Sequence, residues 1–344
     1  MKMKRSLALF ISLALAAAAL TGCSGSSSSS AAASGSDAAS SESGAAKASI
    51  QIKYSTWAAD GEAAYEGMKE FKKYVEEGSN GDIEVLLYPS NQAGSTNEQV
   101  EQVSMNQLQM MSSGDPGIKE IEYLCLPYLF SDLSQYNTFL ESDLGQKYVQ
   151  QGISSRNTRI LDTLPRSPRI ISCNSPVNSL ADLKGMKLRA PERDYYVDTL
   201  KALGANPTPM DMGEVYSAMQ TGVVEGQENP IETIVSYGFQ NVNKYLVMSN
   251  HIIKPAFVMI NEDFFQGLSE EYQQLIIDGC AKARDYANDY MEKDLQTCID
   301  AGMTVCEPDL TEWKEATQSV RDDLGTKIWG ADGYEEVKAI AAQG

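Results

Sequence analysis

Apolar and polar residues alternate at the head of a long stretch of patterned sequence. Ile50, Ile52 and Tyr54 face one way and their neighbours the other, which predicts a half-buried strand. From Ala63 the spacing becomes helical, with Tyr65, Met68, Phe71, Tyr74 and Val75 on one face, until Gly78-Ser79-Asn80-Gly81 breaks it. A strand from Ile83 to Tyr88 closed by Pro89, a helix from Asn97 to Met105 and a short strand from Leu108 to Met111 follow. This β-α-β-α-β order is what a parallel sheet needs, because parallel strands require crossover connections. Ligands on such sheets bind at the carboxyl ends of the strands.

A second unit of the same style lies further along. Met186 to Arg189 reads as a strand, Tyr195 to Leu203 as a helix ended by Gly204, Met212 to Thr221 as a helix ended by Gly222, and Val223 to Gln227 as a strand. Ser269 then caps a pattern whose apolar stripe runs through Tyr272, Leu275, Ile276, Cys280, Ala283, Ala287, Tyr290, Leu295 and Ile299. Glu270 and Glu271 occupy its first turn, where the helix dipole favours acid. Unbroken to Ala301, such a helix would be about 50 Å long, enough to back two lobes.

The N-terminus reads differently. Lys2, Lys4 and Arg5 precede an apolar run from Ser6 to Leu20 that is short for a bilayer span and lacks a charged stop, as in a cleaved export signal. It ends in Leu20-Thr21-Gly22-Cys23, which resembles a bacterial lipobox and makes Cys23 the expected site of lipidation. Each buried acyl methylene would contribute about 0.8 kcal/mol to membrane binding. Ser24 to Ser49 is almost entirely Ser, Ala and Gly, with no apolar residue larger than alanine, and is expected to act as a tether.

The formal charge is −19, and loss of the three cations ahead of Cys23 would take it to −22. Such a balance argues against nucleic acid as a partner, although a local cationic pocket can still take an anion. Five cysteines follow Cys23 and there is one histidine, His251, with no CxxC pair, so neither a zinc site nor another cofactor is expected. Buried thiols are the default for the five; a Cys298–Cys306 disulfide is allowed.

The stretch from Arg169 to Asn229 carries a family resemblance. Ser179-Leu180-Ala181-Asp182-Leu183-Lys184-Gly185-Met186-Lys187-Leu188-Arg189 resembles the DLKG-x-K-x-R signature of tripartite ATP-independent periplasmic (TRAP) transporter substrate-binding proteins. Leu203 to Met210, Glu214 to Gly222 and Val224 to Pro230 continue the match, as do Leu86 to Ser90, Leu126 to Phe130 and Asn250-His251. The resemblance is to the dicarboxylate- and sialic-acid-binding type, here in lipoprotein form. It implies an α/β, two-lobed periplasmic-binding-protein-like fold, each lobe a mainly parallel sheet flanked by helices, with a long helix spanning both. The expected division is 1–22 signal, 23–49 lipidated cysteine and tether, 50–166 plus about 255–294 as one lobe, and 167–254 plus about 295–344 as the other.

Arginine suits an organic-acid site because it stays protonated and grips a carboxylate with two parallel hydrogen bonds. Arg189 follows a short apolar strand at a βα junction, and at this motif position the resemblance implies a ligand carboxylate contact; the competing reading is a surface ion pair with Glu192 or Asp194. Arg169, 20 residues upstream, matches a second family arginine, with Arg166 as its rival in the Arg166-Ser167-Pro168-Arg169 run. Asn229 is either a ligand contact or a turn residue before Pro230. Trp57 either closes over the ligand or belongs to the core. Met212 holds a family pocket position at a spacing that also suits core. Gln92, Thr96, Ser113 and Gly114 sit at the other strand-to-helix junctions. Sialic-acid-binding relatives carry acids in this lobe where this chain has small or neutral residues, which argues against sialic acid itself. His251 is expected to be structural.

Nothing in the chain provides a nucleophile elbow, a triad or a metal cluster, so no enzyme is expected. The expected function is an extracytoplasmic, lipid-anchored, monomeric binder that captures a small organic acid (a dicarboxylate, a sugar acid, or a hydroxy- or keto-acid) and delivers it to TRAP membrane subunits. The alternative is the solute-binding part of a sensory receptor.

Overall fold

The computed structural model describes residues 48–290 and 294–343. Cys23, the apolar run before it and nearly all of the tether lie outside the described residues. In chain order the strands are β1 (Ile50–Thr56), β2 (Ile83–Tyr88), β3 (Met110–Ser113), β4 (Thr158–Leu164), β5 (Arg169–Cys173), β6 (Lys187–Ala190), β7 (Asn206–Pro209), β8 (Gly226–Asn229), β9 (Tyr245–Ile252), β10 (Ala256–Asn261) and β11 (Thr304–Cys306). They form two sheets, ordered β2-β1-β3-β10-β4 and β11-β9-β5-β8-β6-β7. Each sheet, with its helices, makes one lobe of an α/β two-lobed fold.

Both sheets are mixed, and the antiparallel members have a common origin. The chain leaves the first lobe on β4 and returns on β10; it enters the second on β5 and leaves on β9. A strand going out and a strand coming in run oppositely when they lie side by side. Accordingly β10 is antiparallel to β4, and β5 to β9. The βα units away from the crossings keep the parallel pairing that the sequence predicts, β1 with β2 and β3, and β6 with β7 and β8.

The amphipathic helix Ala63–Gly78 buries Met68, Phe71 and Val75 against β1 and against Ile276, Cys280 and Ala283 of the helix Glu270–Tyr290. The two helices approach so closely at Gly67 that a Cβ there would stand 2.7 Å from the Ala283 carbonyl oxygen. Burial of each large apolar side chain in this layer contributes about 1.5–3 kcal/mol. A further helix, Asp294–Asp300, buries Cys298 with Phe239, Leu246 and Met303 on the second sheet. The helices Glu270–Tyr290 and Asp294–Asp300 therefore serve one sheet each; residues 291–293 between them lie outside the described residues. The C-terminal helix Gln318–Ala341, kinked at Gly330 with φ 73°, packs on Ser134–Glu141 of one lobe and Asp194–Ala202 of the other. All five cysteines in the described residues are buried free thiols. Among the described residues no helix is long and apolar enough to cross a membrane.

Candidate functional site

Two short segments join the lobes side by side, Pro165–Pro168 and Ile253–Pro255, with prolines at 165, 168 and 255 that limit their backbone freedom. Arg166, Arg169 and Lys254 therefore sit at the crossing. Arg189 and Asn229 reach the same region from the carboxyl ends of the parallel strands β6 and β8. Strand β8, Gly-Gln-Glu-Asn, is wholly polar in its side chains and wholly buried. Its first residue must be glycine, because a Cβ at Gly226 would lie 2.3 Å from the Ser172 carbonyl oxygen of β5.

Arg169 is neutralised within the protein by Glu228. Its Nε and Nη2 donate to the two Glu228 carboxylate oxygens at 2.5 and 2.7 Å, and Nη2 also donates to the Glu228 carbonyl at 2.8 Å and to Asn229 Oδ1 at 2.9 Å. The guanidinium lies over the Tyr196 ring, 4.6 Å from its centre. Glu228 also meets His251 Nε2 at 3.2 Å, and His251 Nδ1 meets Ser249 Oγ at 2.9 Å. Burial alone would raise the Glu228 pKa; the Arg169 charge and the His251 hydrogen bond outweigh it and hold the carboxylate at about 2. His251, expected to be structural, is the third member of this buried network.

Arg189 differs. It is 4% exposed, and its Nε and Nη2 both donate to one neutral acceptor, the Met210 carbonyl, at 3.0 and 2.8 Å. No acid of the described residues lies within ion-pair distance of it; Glu192 and Asp194 are not its partners. Burial, with repulsion from Arg169 added, pulls its pKa down to about 10 against the attraction of Glu228. It is a buried cation whose neighbours leave it short of negative charge.

Asn229 ties this region together: Oδ1 accepts from Arg169, and Nδ2 donates to Gln227 Oε1 at 2.5 Å and approaches the Met212 sulfur at 4.0 Å. Trp57 stands opposite, on the first lobe. Arg166 stacks on its ring at 4.5 Å, and Tyr237 Oη donates to its carbonyl at 3.5 Å. Beside it the buried Glu62 accepts from Thr233 Oγ1 at 3.3 Å and Ser236 Oγ at 2.8 Å, linking the lobes. A second seam joins Lys254 to Asp115 at 2.7 Å and Arg193 to Glu122 at 3.0 Å. Ser113 Oγ accepts from the Asp115 amide at 3.0 Å, which puts it on that seam. Gln92 is exposed in the turn after β2 and is not joined to any of these groups.

Sequence reasoning missed Glu228, Glu62, Glu232 and Lys254, and it missed Tyr196 and Tyr237. Glu228 lay inside the Gln-Glu-Asn-Pro run that drew attention to Asn229, and its neighbours gave no sign that an acid there was buried.

A two-lobed α/β body with its chain crossings and a charge-starved arginine at the seam defines a periplasmic-type solute-binding protein. Residues 54–327 match the family model "Bacterial extracellular solute-binding protein, family 7". The sialic acid-binding periplasmic protein of Vibrio cholerae is 33% identical over 292 residues, covering 83% of this chain and 91% of its own. The C4-dicarboxylate-binding periplasmic protein of Rhodobacter capsulatus is 29% identical over 307 residues, 86% of this chain and 92% of its own. The crystal structure of a TRAP periplasmic solute-binding protein of Actinobacillus succinogenes with bound L-galactonate matches with a TM-score of 0.79 at 26% identity, covering 86% of this chain and 100% of that one. The chain belongs to family 7 of the bacterial extracellular solute-binding proteins. It is a TRAP-type binding protein and not an enzyme.

Proposed function

We propose that this protein captures a small organic acid between its lobes, seats the carboxylate on Arg189, and hands the solute to TRAP membrane subunits. The observation that carries this reading is the state of Arg189: buried, charged, and facing a carbonyl where an acid would neutralise it. A ligand carboxylate would supply that missing charge in two parallel hydrogen bonds. The ligands of these relatives, sialic acid, C4-dicarboxylates and L-galactonate, all carry a carboxylate and support the class. Asn229 and Met212 would border the same seat, and Trp57 would face it from the other lobe, which closes by movement about Pro165–Pro168 and Ile253–Pro255.

The N-terminal Leu20-Thr21-Gly22-Cys23 supports export and attachment to the extracytoplasmic face of the cell membrane through a lipid on Cys23. A thermal-shift screen against organic acids tests the capture step. Ligand at 100-fold its Kd adds about 2.7 kcal/mol of stability. Calorimetry on Arg189→Ala then tests the seat: near-normal affinity in that variant would sink the assignment. Cys23→Ser should move the protein from the membrane to the soluble fraction of its host.

A further inference from the structure

Resting on the carboxylate seat at Arg189, we infer that the solute is a monocarboxylate bearing hydroxyl groups, and that dicarboxylates are selected against. The cleft and its seams hold four buried or half-buried pairs of opposite charge, and they can be balanced one by one. The charge of Arg169 is balanced by Glu228 at 2.5 Å and that of Lys254 by Asp115 at 2.7 Å. Arg193 is held by Glu122 at 3.0 Å. Arg166 has Glu232 at 3.9 Å, and its Nη2 donates to Thr233 Oγ1, which in turn donates to Glu62. Among these cations Arg189 alone has no acid within ion-pair distance in the described residues. One ligand carboxylate is thus matched, and a second would enter a low-dielectric space with no free cation to offset its desolvation.

The remaining unmet groups describe the rest of the solute. Trp57 Nε1 and Arg166 Nε are buried N–H donors without an acceptor, and Glu232 Oε2 is a buried acceptor without a donor. Two donors alone would suit an anion. Here they stand beside Arg166, whose charge is shared between two carboxyl groups, Glu62 and Glu232; burial raises the pKa of both. Even with one of these carboxyls protonated, Arg166 keeps one counter-charge and presents no net positive field. A hydroxyl accepts from N–H donors and donates to a carboxylate oxygen without bringing charge, so it satisfies such a set where a carboxylate does not.

Acids that share a carbon skeleton test this directly: galactonate against galactarate, and threonate against tartrate and succinate, each measured by calorimetry on the intact mature protein and on Arg189→Ala. The expected result is that in at least one series the hydroxylated monocarboxylate binds ten-fold or more tighter than its dicarboxylate, and that Arg189→Ala abolishes the binding. A dicarboxylate that binds as tightly as the matched monocarboxylate, with binding still lost in Arg189→Ala, overturns the inference and leaves the seat standing. Hexanoate binding as tightly as galactonate overturns the hydroxyl requirement. Binding that survives in Arg189→Ala overturns the seat and the inference with it.

Discussion

Arg169 and Glu228 neutralise each other across β5 and β8, through three hydrogen bonds that include the Glu228 backbone carbonyl. The pair is buried beneath the cleft, with His251 on one side of Glu228 and the Tyr196 ring over Arg169. Its geometry lets Arg169 hold Asn229 in place, while Arg189 has no acid of the described residues within ion-pair distance.

Breaking this pair from one side should be costly. Glu228→Gln or Arg169→Met leaves its partner buried without a counter-charge, for a loss of about 3–5 kcal/mol. Urea unfolding of each single variant and the double variant measures it. The double should cost clearly less than the two singles together, because the second substitution removes the stranded charge.

The same pair sets an acid limb. The Glu228 pKa falls from 4.5 to about 2 on folding, so its contribution is fully present above the unfolded pKa and is lost as pH drops from about 4.5 through about 2. The shift corresponds to about 3 kcal/mol. Glu62 and Glu232 have raised pKa values and act with the opposite sign, favouring the folded state below the ordinary carboxylate range. The wild-type curve is therefore composite. The stability gap between wild type and Glu228→Gln should shrink over that window; a gap constant from pH 6 to pH 2 would refute the assignment.

Gly226→Ala should destabilise strongly although it adds one methyl group. The new Cβ would meet a backbone oxygen and the Cys173 Cβ at 2.8 Å, neither of which can swing aside. Overpacking of this kind costs about 1–3 kcal/mol, and here β8 would be pushed off β5. Thermal unfolding should show the loss, together with weakened ligand binding because Asn229 ends the displaced strand.

Legibility in the sequence followed the strength of each local pattern. β1, β2 and the helix between them were plain, because one face alternates and then turns to a 3.6-residue period. β8 was placed too early: Val224 is fully buried but belongs to the turn after Gly222, whose φ of 75° lets the Val223 and Val224 amides bond back to the Ala218 carbonyl. β10 is buried at all six positions and so has no period to read. Between Lys119 and Glu141 the helices are too short for a periodic signal, and the 14-residue helix Asp143–Arg156 spends two of its buried positions on glycines, Gly145 and Gly152, which weakens its stripe. A motif singles out Arg189 and, with it, Arg169 and Asn229. Their different electrical states were not legible, because the acid that separates Arg169 from Arg189 is a matter of which strands become neighbours.

Arg193 should act on affinity without touching the solute. It projects from the second lobe onto Glu122 at 3.0 Å and Asn97 at 2.7 Å, both on the first. It is half-exposed, so the contact contributes only about 0.5–1 kcal/mol to closure. Arg193→Ala should weaken binding by about three-fold, seen by stopped-flow as faster release, while ligand-free stability stays nearly constant. An unchanged release rate would show that this seam does not gate the cleft.

Arg189→Met should separate function from stability. The wild-type side chain keeps its charge in a buried site that pulls its pKa from 12.5 to about 10, which represents about 3 kcal/mol of unfavourable burial at neutral pH. Methionine has similar length and carries no charge, so that term disappears. Against it stands the loss of two hydrogen bonds to the Met210 carbonyl, together about 2 kcal/mol. The two effects nearly cancel, so the ligand-free protein should melt close to wild type. The same substitution removes the cation that the carboxylate needs, and no organic acid should then shift the melting temperature. A variant that melts lower and still responds to ligand would mean that Arg189 is a structural arginine, with the carboxylate bound elsewhere.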